Sequence, residues 1–270
     1  MLQFLVCSDI HTYADNLRLA ILKADHIDAV LIAGDLELEK EAVLAAAGTL
    51  PCYMVCGNND YYLNTDYPQE LLIDICQKAD ASSTGPADAA FRTSPTDPTF
   101  PTGQTCQGGP VLGRVTELGY DSVPDAGIQQ ASHKEGILPA IRSFFSSHMT
   151  FASKKEKLPR GLDFPPHTFK RPPDIIHRIL MTHGKEYNVP DINLLTRRAG
   201  IWDADLVVFG HTHQFWDTSS QRGKIRLINP GCLVGDPKAS IRTYGNYEIC
   251  SFALLRIGDH GEIDVEHLYL

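Results

Sequence analysis

Carboxylate, imidazole and amide oxygens gather in short stretches of this chain: SDIH at 8–11, GD at 34–35, GNND at 57–60, THG at 182–184 and GHTH at 210–213. Each stands directly after an apolar run of strand character. Asp9 and His11, like His211 and His213, are spaced i, i+2, which in an extended segment points both side chains the same way. The donors Asp9, His11, Asp35, Asn58, His183, His211 and His213 include no thiolate. Such a set suits Mn²⁺, Fe²⁺, Zn²⁺ or Ni²⁺ better than a structural cysteine-rich zinc site. Together these side chains overfill the shell of one ion that must also leave room for water, whereas two ions with one bridging carboxylate use them all. Two divalent ions about 3.5–4 Å apart are a device for activating water against phosphorus.

The elements that must deliver these donors alternate through the first eighty residues. LQFLVCSD and AVLIAGD read as strands, and between them Leu17, Ala20, Ile21 and Ala24 recur at helical intervals. LEKEAVLAAAG reads as a second helix capped by Gly48, and PCYMVCGNND as a third strand. QELLIDICQKA, with Leu72, Ile75, Cys76 and Ala79 on one stripe, predicts a third helix. The βαβαβ order implies a mainly parallel sheet, and in such sheets ligands bind outside the carboxyl ends of the strands. IIHRILMTHG, ADLVVFGHTH, KIRLINPG, YEICSFALLRI and EIDVEHLYL, with a helix in DINLLTRRAG, make a strand-rich tail that predicts a second packed sheet with helices outside.

Between these halves, about residues 80–174, Pro, Gly, Ser and Thr dominate and no period for helix or strand holds over 81–110. This is an insertion, either irregular or a lid. Its later part could form a short amphipathic helix around Ile137, Ile141, Phe144 and Phe145. Lys154, Lys155, Lys157, Arg160, Lys170 and Arg171 then make a basic stretch that could attract an anionic substrate or lie solvated without a role.

The chain has 270 residues, 43% of them hydrophobic, enough for one large core. A net charge of −9 argues against a surface that tracks nucleic acid. The N-terminal MLQFLVCSDI has no basic leader and no run reaches membrane-span length, so a cytoplasmic protein without a membrane partner is expected. Cys7, Cys52, Cys56, Cys76, Cys106, Cys232 and Cys250 form no CxxC pair and read mainly as core thiols. His26, His133, His148, His167, His177, His260 and His267 lack motif context and read as structural or surface residues.

SDIH, GD, GNND, THG and GHTH, in that order and at strand ends, resemble the signature of the calcineurin-like metallophosphoesterase superfamily, nearest its small bacterial and archaeal phosphodiesterase branch. NPGC at 229–232 resembles that branch's Asn-Pro-Gly turn, with Cys232 where serine is usual. Singly these motifs are weak, since an aspartate after a strand is commonly a helix N-cap; their order carries the resemblance. It implies an α/β fold, a four-layer α/β/β/α sandwich of two mixed sheets flanked by helices. A single domain would span 1–270, with its core at 1–79 and 175–270. By position, Asp9, His11 and His213 would hold one metal, Asn58, His183 and His211 the other, and Asp35 would bridge both.

The implied activity is dinuclear hydrolysis of a small phosphoester, a phosphodiester rather than a monoester, with Mn²⁺ favoured over Fe, Zn or Ni. Many members carry a histidine after the metal-binding asparagine as a candidate general acid; here Asn59 and Asp60 occupy that place. An amide gives up no proton at neutral pH, so substrates with acidic leaving groups are expected. A catalytically weak or silent interaction scaffold is the alternative, and a nuclease is disfavoured by the acidic charge. No oligomeric state is implied.

Overall fold

In the computed structural model the described residues are 1–63, 66–77, 109–118, 168–220, 223–238, 243–244, 247–248 and 250–270. The first apolar run becomes β1 (Leu2–Cys7), buried along its whole length, and leads to α1 (Ala14–Ala24), which buries Leu17, Ala20 and Ala24 at the predicted spacing. After β2 (Ala29–Ile32) comes α2 (Lys40–Ala47), ended by Gly48 as expected. With φ of +70°, Gly48 turns the chain and donates its N–H to the Leu44 carbonyl at 2.9 Å. β3 (Cys52–Met54) completes the unit, and β1, β2 and β3 pair in parallel.

The helix expected over 69–79 is instead β4 (Glu70–Gln77), which pairs antiparallel with β5 (Pro110–Leu118) and with β6 (Ile175–Thr182). Leu72, Ile75 and Cys76 fit a helical stripe, but Leu71, Ile73 and Ile75 fit a strand face equally well, and a short apolar run does not separate the two by period. Two partner strands and burial on both faces decide the matter. Leu71, Ile73 and Ile75 enter the core between the sheets, and Leu72 enters the core on the other face. Behind Leu72, Asp74 faces Arg178 across β4 and β6 in a buried bidentate pair, Nε–Oδ1 2.6 Å and Nη2–Oδ2 3.1 Å. β5 lies in the stretch read as irregular, and that stretch thus adds a strand to the second sheet. The helix suggested around Ile137 to Phe145 and the lysines at 154–157 lie outside the described residues.

The tail supplies α3 (Asn193–Ile201), β7 (Leu206–Val208), β8 (Phe215–Ser219), β9 (Arg226–Pro230), the short hairpin β10 (Thr243–Tyr244) and β11 (Tyr247–Glu248), β12 (Ser251–Ile257) and β13 (Ile263–Tyr269). One sheet has the order β13-β12-β1-β2-β3, the other β5-β4-β6-β7-β9-β8. Both mix parallel and antiparallel pairs. Phe4, Val6, Leu31, Ile73, Met181, Val208 and Leu255 belong to the core between them. Leu5, Ile32, Leu17, Ala20 and Val43 join α1 and α2 to the outer face of the first sheet, and Leu180, Val207, Leu195 and Ala199 join α3 to the second. The architecture is the four-layer α/β/β/α sandwich.

Cys7, Cys56, Cys232 and Cys250 are buried, and Cys52 and Cys76 are partly buried. No helix among the described residues is long and apolar enough to cross a membrane. Arg171 of the basic stretch is engaged by Asp205 at 2.8 Å.

His177 on β6 ties the second sheet to the turn between β12 and β13 of the first. Its Nδ1 lies 2.8 Å from Asp205 Oδ2 and its Nε2 2.7 Å from the Gly261 carbonyl, so both ring nitrogens meet acceptors. Burial opposes its charge, but these hydrogen bonds outweigh burial and raise its pKa. Asp205 is held below the usual carboxylate range: burial pushes it up, and His177, Arg171 and the Arg178 N–H pull it further down. The His177 contribution is complete below the ordinary histidine pKa and is lost as pH rises through the raised one; the Asp205 contribution is lost on acidification through its lowered one. His177→Gln should therefore cost about 1–2 kcal/mol in urea unfolding at pH 6 and clearly less at pH 9. Equal losses at both would mean that the folded chain holds this imidazole neutral.

Candidate metal centre

The strand ends deliver the donors to one place, from both sheets. Asp9 and His11 follow β1, Asp35 follows β2 and Asn58 follows β3, while His183 follows β6 and His211 and His213 follow β7. The extended geometry expected for the i, i+2 pairs is not what brings them in. Asp9, His11, Asp35, His211 and His213 have φ of +52°, +45°, +51°, +69° and +56°, a left-handed region that costs a non-glycine residue about 1–3 kcal/mol each. Sharp left-handed turns let the chain present a donor and leave at once, and such strain persists only where surrounding contacts over-determine it.

The donors form two clusters. Asp9, His11 and His213 make one, and Asp9, Asp35 and His183 the other, so the carboxylate common to both is Asp9. In the first, His213 Nε2 lies 3.1 Å from Asp9 Oδ1 and 3.3 Å from His11 Nε2, with His11 Nε2 4.0 Å from Asp9 Oδ1. In the second, His183 Nε2 lies 3.3 Å from Asp35 Oδ2 and 3.2 Å from Asn58 Oδ1. Donors about 2.1 Å from one ion lie roughly 3.0–3.5 Å from one another, so most of these separations are those of a shared cation. His211 stands edge-on to His183, ring centroids 5.2 Å apart, and donates its backbone N–H to Asp9 Oδ2 at 3.1 Å. Of the two histidines of GHTH, His213 belongs to the first cluster and His211 stands beside His183 of the second without joining its close donor atoms.

Each cluster has a histidine whose outer nitrogen is committed. The Ala33 carbonyl can only accept, so at 2.8 Å it fixes the hydrogen on His183 Nδ1 and turns the Nε2 lone pair inward. Glu37 Oε1 sits 2.8 Å from His11 Nδ1 in the same way. Asp9 Oδ2 accepts from Ser8 Oγ at 2.6 Å, while Oδ1 is buried and takes no aligned hydrogen bond although His213 is within ion-pair distance. A buried carboxylate oxygen without an aligned hydrogen bond, with imidazole nitrogens of His213 and His11 at 3.1 Å and 4.0 Å, fits a cation.

Asn59 and Asp60, expected near a leaving group, serve the scaffold of the site. Asn59 gives its backbone N–H to Asp35 Oδ1 at 2.8 Å and its Nδ2 to Oδ2 at 3.1 Å, and its Oδ1 accepts from Asn58 Nδ2 at 3.0 Å. Asp60 is fully buried and accepts the Glu37 N–H and the Gly57 N–H, both at 2.7 Å. Asn229 of the NPG turn donates Nδ2 to the Gly210 carbonyl at 2.7 Å and to Thr212 Oγ1 at 3.0 Å, holding the GHTH loop. Ser8, Ala33 and Glu37 were not among the residues singled out in the sequence; Glu37, two positions beyond Asp35, was the one with a readable chemical type. Burial opposes a charge on His183, yet Asp35 and Asp9 lift its pKa to about 9. Asp35 is pushed up by burial, but His183 and the Asn59 N–H bring it below the usual range. Positive charge is favoured at His183 and disfavoured at His211, whose pKa is lowered by burial and then by His183.

A family model described as the calcineurin-like phosphoesterase superfamily domain matches residues 2–89 and 174–251. The chain belongs to that superfamily. No curated protein matches it. Solved structures similar to this calcineurin-like chain include a predicted phosphoesterase from Streptococcus pneumoniae, 16% identical over 99% of this chain and 97% of that one, TM-score 0.46. Vps29 of Entamoeba histolytica complexed with zinc is 16% identical over 99% and 98%, TM-score 0.40. An archaeal phosphodiesterase is 12% identical over 99% and 100%, TM-score 0.44.

The calcineurin-like centre also demands close backbone approach. A Cβ on Gly210 would stand 1.8 Å from Ser8 Oγ and 2.8 Å from the Ala33 carbonyl, whereas one on Gly200 in α3 meets nothing within 4 Å. Gly210→Ala should thus destabilise the chain by at least about 1–3 kcal/mol, and Gly200→Ala should stabilise it by roughly 0.5–1 kcal/mol. Urea unfolding of both variants checks the opposite signs.

Proposed function

We propose that this calcineurin-like protein hydrolyses small phosphodiesters at a dinuclear metal centre, with Mn²⁺ as the preferred ion and Fe, Zn or Ni as substitutes. The observation that carries the reading is the meeting of two oxygen- and nitrogen-donor clusters at the buried Asp9. Asp9, His11 and His213 would hold one ion and Asn58, His183 and His211 the other. Asp35, drawn into the second cluster by His183 and clamped by Asn59, would serve as a bridging carboxylate. Divalent ions bound there would supply Lewis-acid activation of a water and neutralise phosphoryl charge.

The protein's own residues then decide the substrate. Asn59 directs both kinds of amide hydrogen at Asp35 and Asp60 accepts from two backbone amides, so neither holds a proton for a departing alkoxide. Without that proton, the best substrates are those whose leaving group is already acidic, such as aryl diesters. The absence of thiolates from both clusters supports Mn²⁺. Free thiols at Cys7, Cys52, Cys56 and Cys76 support action in the reducing cytoplasm. Residues 1–79 and 175–270 would form the core of one domain, with 80–174 inserted into it.

The purified protein should cleave bis-p-nitrophenyl phosphate faster than p-nitrophenyl phosphate when Mn²⁺ is added, and lose this on chelation. A combined Asp35→Ala, His211→Ala variant should lose more than about 100-fold in rate. Metal uptake without turnover of either ester would instead mark the chain as a silent scaffold built on the same fold. Faster hydrolysis of simple alkyl phosphates than of activated diesters would refute the leaving-group argument.

A further inference from the structure

We infer that Glu37 is a positioning residue that sets metal affinity at one cluster alone, by holding His11 with its hydrogen on Nδ1 and its Nε2 lone pair turned inward. The inference rests on the metal-site reading above and concerns how the two positions differ. A carboxylate can only accept, so the 2.8 Å contact of Glu37 Oε1 fixes the His11 tautomer. A carboxylate behind a ligating imidazole also raises its basicity and steadies its ring. The inward Nε2 then stands 3.3 Å from His213 Nε2.

Glu37 is not casually placed. Its φ is +52°, a strained value for a glutamate, and its N–H is gripped by Asp60 Oδ1 at 2.7 Å. Asp60 is fully buried and anchored through its other oxygen to Gly57, next to Asn58. The strain is thus maintained by a buried carboxylate in the loop that serves the opposite cluster. In the other cluster the acceptor behind His183 is uncharged. His183 is backed by the neutral Ala33 carbonyl and is fully enclosed, whereas the His11 and Glu37 side chains are 18% and 32% exposed. The clusters therefore differ in what stands behind the imidazole: an enclosed one oriented by backbone, and a more open one oriented by a removable charge.

Mn²⁺ titration of the metal-free protein by calorimetry, repeated with Co²⁺ to follow its visible absorption, tests this. His11→Ala identifies the equivalent that belongs to the more open cluster. Glu37→Gln keeps an acceptor but removes the charge, and should weaken that same equivalent about 10–100-fold and shift its Co²⁺ spectrum, with the other equivalent unchanged. Glu37→Ala, which also frees the tautomer, should weaken it further, and both variants should unfold in urea at nearly the parent midpoint. Wild-type affinity for both equivalents in both variants would overturn the role of Glu37 and leave the metal site standing. Equal weakening of both equivalents, or a collapse in stability, would make Glu37 a general element of the fold and overturn its selectivity. Failure of the parent protein to bind metal, or its uptake of one ion only, would sink the two-position reading itself and the inference with it.

Discussion

Asp9 and Asp35 hold carboxylates at 0% and 2% exposure, at neighbouring strand ends, and that burial of negative charge is the constraint from which the rest of the centre follows. Two carboxylates removed from water require compensating positive charge or donated hydrogens. Asp35 receives both amide groups of Asn59, and Asp9 receives Ser8 Oγ and the His211 N–H. What these donors leave uncompensated is made up by cationic character: His183 takes a proton far more readily than an ordinary histidine. The same preference for positive charge makes the pocket suitable for divalent ions.

The sandwich is what makes this charge arrangement durable. β1, β2 and β3 approach from one sheet and β6 and β7 from the other, so the centre sits where two rigid layers meet over a shared apolar core. The turns that carry the donors are strained, and the surrounding hydrogen bonds hold them there. Asp60 fastens the GNND turn to Glu37, Asn229 fastens the GHTH loop, and Gly57 lets its segment touch that of Asp35, since a Cβ there would stand 2.1 Å from the Asp35 nitrogen. Residues away from the centre carry much of its precision for this reason.

The chain belongs to the calcineurin-like phosphoesterase superfamily, and the asparagine at position 59 has a distinct structural setting. The side chain that would stand where many members have a proton donor is turned to Asp35 and Asn58 instead. Orienting a buried carboxylate and protonating a leaving group are different tasks, and this residue type can perform only the first.

Composition, order and motif spacing by themselves determined the fold class, the alternation of the first three strands with two helices, Gly48 as a helix end and the residue types gathered at the strand ends. These are local properties: apolar periodicity, cap chemistry and residue type do not depend on distant neighbours. The state of residues 70–77 was not local, because Leu71 to Cys76 satisfy a helical and an extended period alike, and only pairing with β5 and β6 and burial on both faces chose the strand. Within the site, the residue types were legible and their partnerships were not. The sharing of Asp9 by two clusters, the left-handed turns and the roles of Glu37, Asp60 and Ala33 arise from contacts between segments tens to hundreds of residues apart. Tertiary structure decided these, because the desolvation of a carboxylate, and the partner that answers it, depend on what folding packs around it.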